Sequence, residues 1–246
     1  MSPRLLVKIA DCIVEPLCNI IYNNSILDGM VPQDWKRANV CPVHKKGSRI
    51  VAGNYRPISL TSQLCKVFEF IMREKLISHL ENLHLIYESQ HGFRRGRSCL
   101  SNILTFLEKV TKAVDDGLSL NVIYLDLAKA FDKVPHERLL RKLVSHGIEG
   151  KVWLWLKNWL KGREQRVCID GSSSDWIKVL SGVPQGSVLG HILFLVYIND
   201  VDLEVQNDIL KFADDTKLYG IVTNIAQAVS MQQDLNGLIR WTSQWQ

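Results

Sequence analysis

Apolar residues recur at helical spacing through the opening segment. Leu6, Ile9, Ala10, Ile13, Leu17, Ile20 and Ile21 fall three, four or seven apart, which predicts an amphipathic helix. Gly29 and Pro32 in "DGMVPQDW" break that pattern. The stretch "RANVCPVHKKGSRIVAGNYRPISL" has short β-type runs punctuated by Pro and Gly, and predicts strands joined by turns. Helical spacing returns in "TSQLCKVFEFIMREKLISHLENL", where Leu64, Val67, Phe68, Ile71, Met72, Leu76 and Leu80 form one stripe. A further helix carries Ile103, Leu107, Val110 and Val114 and stops at Gly117.

From Asn121 to Leu127 the period changes to two, which predicts a strand. Ile123, Leu125 and Leu127 share one face; Val122, Tyr124 and Asp126 share the other. Pro135 suits a first helical turn, followed by Leu139, Leu140 and Leu143 and ended by Gly147. "KVWLWLKNWLKG" reads as a helix whose Trp153, Trp155 and Trp159 belong to a core. "QRVCIDGSSSDWIKVLSG" reads as a hairpin turning at Asp170-Gly171. "GVPQGSVLGHILFLVYINDV" is a glycine-rich loop opening an apolar helix. "LKFADDTKLYG" is strand, acidic turn, strand, and a final amphipathic helix follows.

With 246 residues, 46% hydrophobic and 22% charged, the chain can bury a sizeable core as one large domain or two lobes. No apolar run reaches the roughly 18 residues needed to span a bilayer. Lys8, Asp11 and Glu15 interrupt any signal-peptide core, so an intracellular protein of nucleus or cytoplasm is expected. Six cysteines (Cys12, Cys18, Cys41, Cys65, Cys99 and Cys168) have neither zinc-finger spacing nor a need for disulfides, and read as reduced, partly buried thiols. Charge is uneven: Trp35–Arg97 holds twelve Lys or Arg against four acids, net +8, while the whole chain is +5. A basic first half suits a polyanion, or equally a solvated surface.

Asp214 and Asp215 are adjacent like charges between apolar flanks. Either the pair caps a solvated turn or a cation sits there. If their hairpin lies beside the Asp126 strand, three carboxylates meet at one sheet edge. Hard oxygens in that number suit Mg²⁺, and two such ions about 3.5–4 Å apart serve nucleotidyl transfer.

The order of an Asp on a strand, "GVPQGS" opening a helix and "FADD" on a hairpin resembles motifs A, B and C of reverse transcriptases. "NYRPISLTSQLCKVFEFIM", "QHGFRRGRS", "YLDLAKAFDKVPH" and "GVPQGSVLG" resemble the non-LTR (LINE-type, jockey-like) retrotransposon branch, from about residue 30 onward. The resemblance implies an α+β right-hand polymerase whose antiparallel palm sheet is backed by helices. It implies fingers at about 1–116 and 146–182 and palm at about 117–145 and 183–246, with no thumb in this chain.

It also implies an RNA-directed DNA polymerase acting on an RNA template, a DNA primer and dNTPs, with two Mg²⁺ ions or Mn²⁺ in their place. Asp126, Asp214 and Asp215 match the metal-binding catalytic carboxylates. Phe131 matches the bulky residue under the sugar that rejects a ribose 2′-OH. Gln185 and Gly186 match the loop lining the nucleotide pocket. Arg56, with Lys45 or Lys46, matches the triphosphate-holding positions, and Gln90, Arg94 and Arg97 match template contacts.

Asp132 is expected to cap the helix near Pro135. His191 stands where relatives have proline, a change expected to cost little. Without a thumb, synthesis is expected to be distributive and salt-sensitive. Two readings of different class remain open at this point: a polymerase domain, or a decayed or co-opted fragment that binds nucleic acid without catalysis. A group II intron maturase is a further enzymatic variant.

Overall fold

The computed structural model describes residues 3–245, so the outer limits of the expected fingers and palm, 1 and 246, lie outside the described residues. The chain opens with α1 (Pro3–Lys8), α2 (Ala10–Asn19), a π-helical stretch (Ile20–Ile26) and α3 (Gln33–Lys36). Then come β1 (Arg37–His44), β2 (Tyr55–Leu60), α4 (Gln63–Asn82), α5 (Cys99–Asp115) and β3 (Leu120–Leu125). A 3₁₀ turn (Phe131–Lys133) leads to α6 (His136–Ser145), α7 (Gly150–Leu160), β4 (Glu164–Ile169), β5 (Ser172–Ser173) and β6 (Ile177–Lys178). The last elements are α8 (Leu189–Ile198), a 3₁₀ turn (Asn199–Asp202), β7 (Asp208–Phe212), β8 (Asp215–Ile221) and α9 (Ile225–Trp245).

These elements make two compact units. One combines the residues up to Leu76 with Phe131–Leu193, the other Ile77–Ala130 with Phe194 onward. Both sheets and their helices give the α+β class expected.

In the first unit the sheet runs β2-β1-β4, with β5 and β6 both pairing to β4. β1 is antiparallel to β2 and parallel to β4. The Asp170-Gly171 turn joins β4 to β5 with φ of +47° and +82°, the paired positive values a two-residue hairpin loop favours. The core is aromatic. Phe68 lies edge-on to Trp155 at 4.9 Å, and Trp155 stacks on Trp159 at 6.4 Å. Both tryptophans have no exposed surface, so the i, i+4 spacing marks a core stripe as expected. Trp155 Nε1 donates to Ser25 Oγ (2.7 Å), and the half-buried Trp153 donates to the Leu140 carbonyl (3.1 Å). Each indole N–H is thus satisfied, as burial demands.

The second unit is a three-stranded antiparallel sheet ordered β3-β8-β7. Its pairing register puts Val122, Tyr124, Lys217, Tyr219, Asp208 and Leu210 on one face. α5 covers that face. Phe106 meets Tyr219 edge-on at 5.2 Å, Lys217 lies over the Phe106 ring, and Lys109 pairs with Asp208 at 3.3 Å. Buried Asp234 on α9 accepts hydrogen bonds from the Gln206 and Asn207 backbone, which ties that helix to the segment entering β7. Lys211 on β7 is fully buried and paired with Asp202 at 2.7 Å.

The ladder of β3 ends at Leu125, not Leu127. Pairing onward would set Asp126 directly opposite Asp215, and like charges opposite one another oppose ladder closure. All six cysteines are free as expected, but only Cys65 is fully buried. Among the described residues no helix is long and apolar enough to cross a membrane.

Candidate active site

Asp126 follows the last β3 pair, Leu125 with Thr216, and Asp215 precedes Thr216 on β8. Asp126 and Asp215 therefore lie at the same end of adjacent strands, just past the last paired residues, and both are exposed to solvent. Asp214 is half-buried in the two-residue turn closed by the Phe212–Asp215 pair. Ala213, the first turn residue, has φ +57°, the left-handed value such a hairpin loop requires. Asp126 and the adjacent pair Asp214-Asp215, distant from it along the chain, thus lie at the same end of one sheet.

The donor set suits a hard divalent ion. Among the described residues, however, no group of three or more His, Cys, Asp or Glu side chains is placed to hold a metal by itself. In place of a three-carboxylate cage there is an open edge where Asp126 and Asp215 lie at the same end of adjacent strands. This fits Mg²⁺, which is bound through one or two carboxylates and completed by substrate phosphates and water. On its α9 side Asp126 borders a cavity of about 100 Å³ lined by Leu125, Leu235 and Leu238. That largely apolar lining is unsuited to solvating an ion, unlike the solvent-exposed side of Asp126.

The segment expected to touch template is committed elsewhere. Gln90 is 1% exposed, and its amide is bonded to Ala213 and Gly92. Arg94 donates to the carbonyls of Tyr87 (3.1 Å) and Gln90 (3.4 Å) and pairs with Glu88 (3.4 Å). Arg97 also pairs with Glu88 and reaches His91 Nε2 at 3.3 Å. Glu88 supplies local negative charge that motif spacing does not reveal. Of the three, Arg97 keeps the most exposed side chain relative to Arg94, 31% against 12%.

In the other unit, Lys45, Lys46 and Arg56 lie exposed on the β1–β2 hairpin. Arg56 pairs with Val43, and the Lys45 N–H donates to the Asn54 carbonyl. Three cations thus share one arm, as a triphosphate-holding element needs. Phe131 lies in the 3₁₀ turn, half-buried, with its ring edge-on to His191 at 6.0 Å. Burial and the nearby Arg73 charge both lower the His191 pKa, which favours its neutral ring beside Phe131.

Gln185 and Gly186 sit in the loop before α8. The Gln185 carbonyl accepts from the Ser59 N–H at 2.6 Å. Gly186 has φ +112°, and a Cβ there would lie 2.7 Å from the Ser59 carbonyl oxygen. Glycine is required by both conformation and space. Asp132 does not cap α6, whose N-cap is Pro135 without a side-chain bond. Its carboxylate instead accepts from Gln185 Nε2 at 3.1 Å, because the turn it occupies aims it at the loop.

Sequence reasoning missed Glu69. It is fully buried, and Oε2 accepts from the Val188 N–H (2.7 Å) at the start of α8. Oε1 accepts from Trp159 Nε1 (3.0 Å) and Cys65 Sγ (3.1 Å). A Glu within an otherwise apolar stripe was the one available signal.

Residues 43–246 match the family described as Reverse transcriptase (RNA-dependent DNA polymerase). The chain is 30% identical over 236 residues to the probable RNA-directed DNA polymerase from transposon BS of Drosophila melanogaster, covering 92% of this chain and 26% of that protein. It is 30% identical over 233 residues to the RNA-directed DNA polymerase from mobile element jockey of the same fly, covering 90% and 25%. The chain therefore spans about a quarter of the length of these curated relatives. In fold it resembles apo telomerase from Candida tropicalis truncated from its C-terminal domain, with TM-score 0.61 and 13% identity over 89% of this chain and 50% of that one. With the motifs in order along the chain and the carboxylates gathered at one sheet edge, this chain belongs to the reverse transcriptase family, among its jockey-like non-LTR retrotransposon members.

Proposed function

We propose that this chain copies RNA into DNA, adding deoxynucleotides to a primer 3′ end inside the cell, in nucleus or cytoplasm. What supports this is the β3–β8 register, whose last pair, Leu125 with Thr216, brings Asp126 and Asp215 to the same end of adjacent strands, beside the Asp214 turn. Asp126 and Asp215, with Asp214, would hold two Mg²⁺ ions or Mn²⁺. When bound, these ions neutralise charge on the attacking and leaving oxygens.

The chain's other residues bind and select. Lys45, Lys46 and Arg56 bind the triphosphate through charge-assisted hydrogen bonds. Phe131 selects deoxynucleotides, since a bulky ring under the sugar would clash with a ribose 2′-OH. Gly186 leaves the pocket loop without a side chain, and Asp132 orients the Gln185 amide. Arg97 and the basic hairpin meet nucleic-acid phosphates without reading sequence.

Primer extension on an RNA template with Mg²⁺ and dNTPs tests this against Asp214→Asn. Extension by the wild type and a loss of about a hundredfold or more in the variant is expected, because charge neutralisation of this kind carries several kcal/mol of the barrier. Equal signal from the two proteins would remove the catalytic claim and leave only a nucleic-acid-binding fragment.

A further inference from the structure

We propose that Gln90 is a positioning residue for the acidic turn, holding Asp214 through its neighbour Ala213 and making no template contact. The inference rests on the polymerase reading for its functional half and on geometry within one unit for the rest. Gln90 Oε1 accepts from the Ala213 N–H at 2.9 Å, and Nε2 donates to the Ala213 carbonyl at 3.2 Å. One side-chain amide thus satisfies both backbone groups of one turn residue. Oε1 also accepts from the Gly92 N–H at 2.8 Å, which fixes the orientation of the amide.

Two further observations agree. Ser89 and His91 bond the Lys211 backbone (2.8 and 2.9 Å), so this segment is laid along β7 beside the turn. Gly92 packs so closely that a Cβ would lie 2.5 Å from the Ala213 nitrogen. Ala213 has φ +57°. A non-glycine residue in that conformation persists where its surroundings over-determine it. The Gln90 clamp and the Gly92 contact supply that constraint, and the next residue along the chain is Asp214.

The test uses the full chain with Gln90→Leu, and Gln90→Ser, whose smaller side chain admits bridging water, should the first fail to fold. Amide hydrogen exchange in peptides covering the β7–β8 turn is expected to speed up about tenfold or more at Ala213, with the remaining peptides unchanged. Primer extension is expected to show kcat reduced about tenfold to hundredfold and a higher Mg²⁺ half-saturation, with unchanged affinity for the RNA–DNA hybrid. Weakened hybrid affinity with intact kcat at saturation and unchanged exchange would overturn the proposal in favour of a template contact. If the wild type extends no primer, the polymerase reading fails by itself, and exchange at Ala213 alone decides the clamp.

Discussion

Removing the Glu69 carboxylate should damage the first unit more than any exposed substitution. Glu69 has no exposed surface and accepts from Trp159, Cys65 and the Val188 N–H. Arg163, 2% exposed, is held below its ordinary pKa by burial, and the Glu69 charge opposes that shift. Glu69→Ala removes the charge that offsets the buried Arg163 guanidinium. It also orphans the Val188 N–H and the Trp159 indole, at about 1–3 kcal/mol each. These costs overlap, since one carboxylate answers all of them, so the expected loss is about 4 kcal/mol or more. At an m-value of about 2 kcal/mol per molar urea, the midpoint should fall by about 2 M. Tryptophan fluorescence is the suitable probe, because Trp155 and Trp159 are buried in this core. Glu69→Gln retains one acceptor oxygen and should lose about half as much. A midpoint shift below about 0.5 M for Glu69→Ala would refute the reasoning. Because Val188 follows the Gln185-Gly186 loop, the milder variant should also raise KM for dNTPs in primer extension.

Gly186→Ala should cost about 1–3 kcal/mol through its left-handed φ and push the loop from Ser59; wild-type melting together with a wild-type KM for dNTP would contradict the close approach. Stability should fall as pH drops below about 6.5. Burial lowers the pKa of His91, His136 and His191 from 6.5. The unfolded chain therefore takes up protons first, so stability is full above that value and is lost as pH falls toward the lower folded values. Urea midpoints at pH 7.5 and 5.5 check this, and His136→Gln, at a ring whose Nε2 donates to the Gly182 carbonyl at 2.8 Å, should shallow the slope.

Local signals were legible wherever their cause is local. The Asp170-Gly171 hairpin follows from turn chemistry, and the buried Trp155 and Trp159 follow from helical spacing. Asp132 misled because its favoured role, capping the next helix, is local, whereas the Gln185 amide that it binds lies 53 residues away. Gln90 and Arg94 show a related limit: an amide or cation in a polar loop looks available until Ala213 and Glu88 are seen to occupy it.

The amino-acid sequence by itself determined the elements, the two families of charge and the reverse transcriptase motifs, because periodicity, turn residues and motif spacing are properties of neighbours along a chain. Only the tertiary structure decided that Asp126 and Asp215 lie at the same end of adjacent strands, that Gln90 grips Ala213, and that Glu69 anchors the start of α8. Those outcomes depend on strand register and burial, which arise when segments far apart in sequence compete for the same partners.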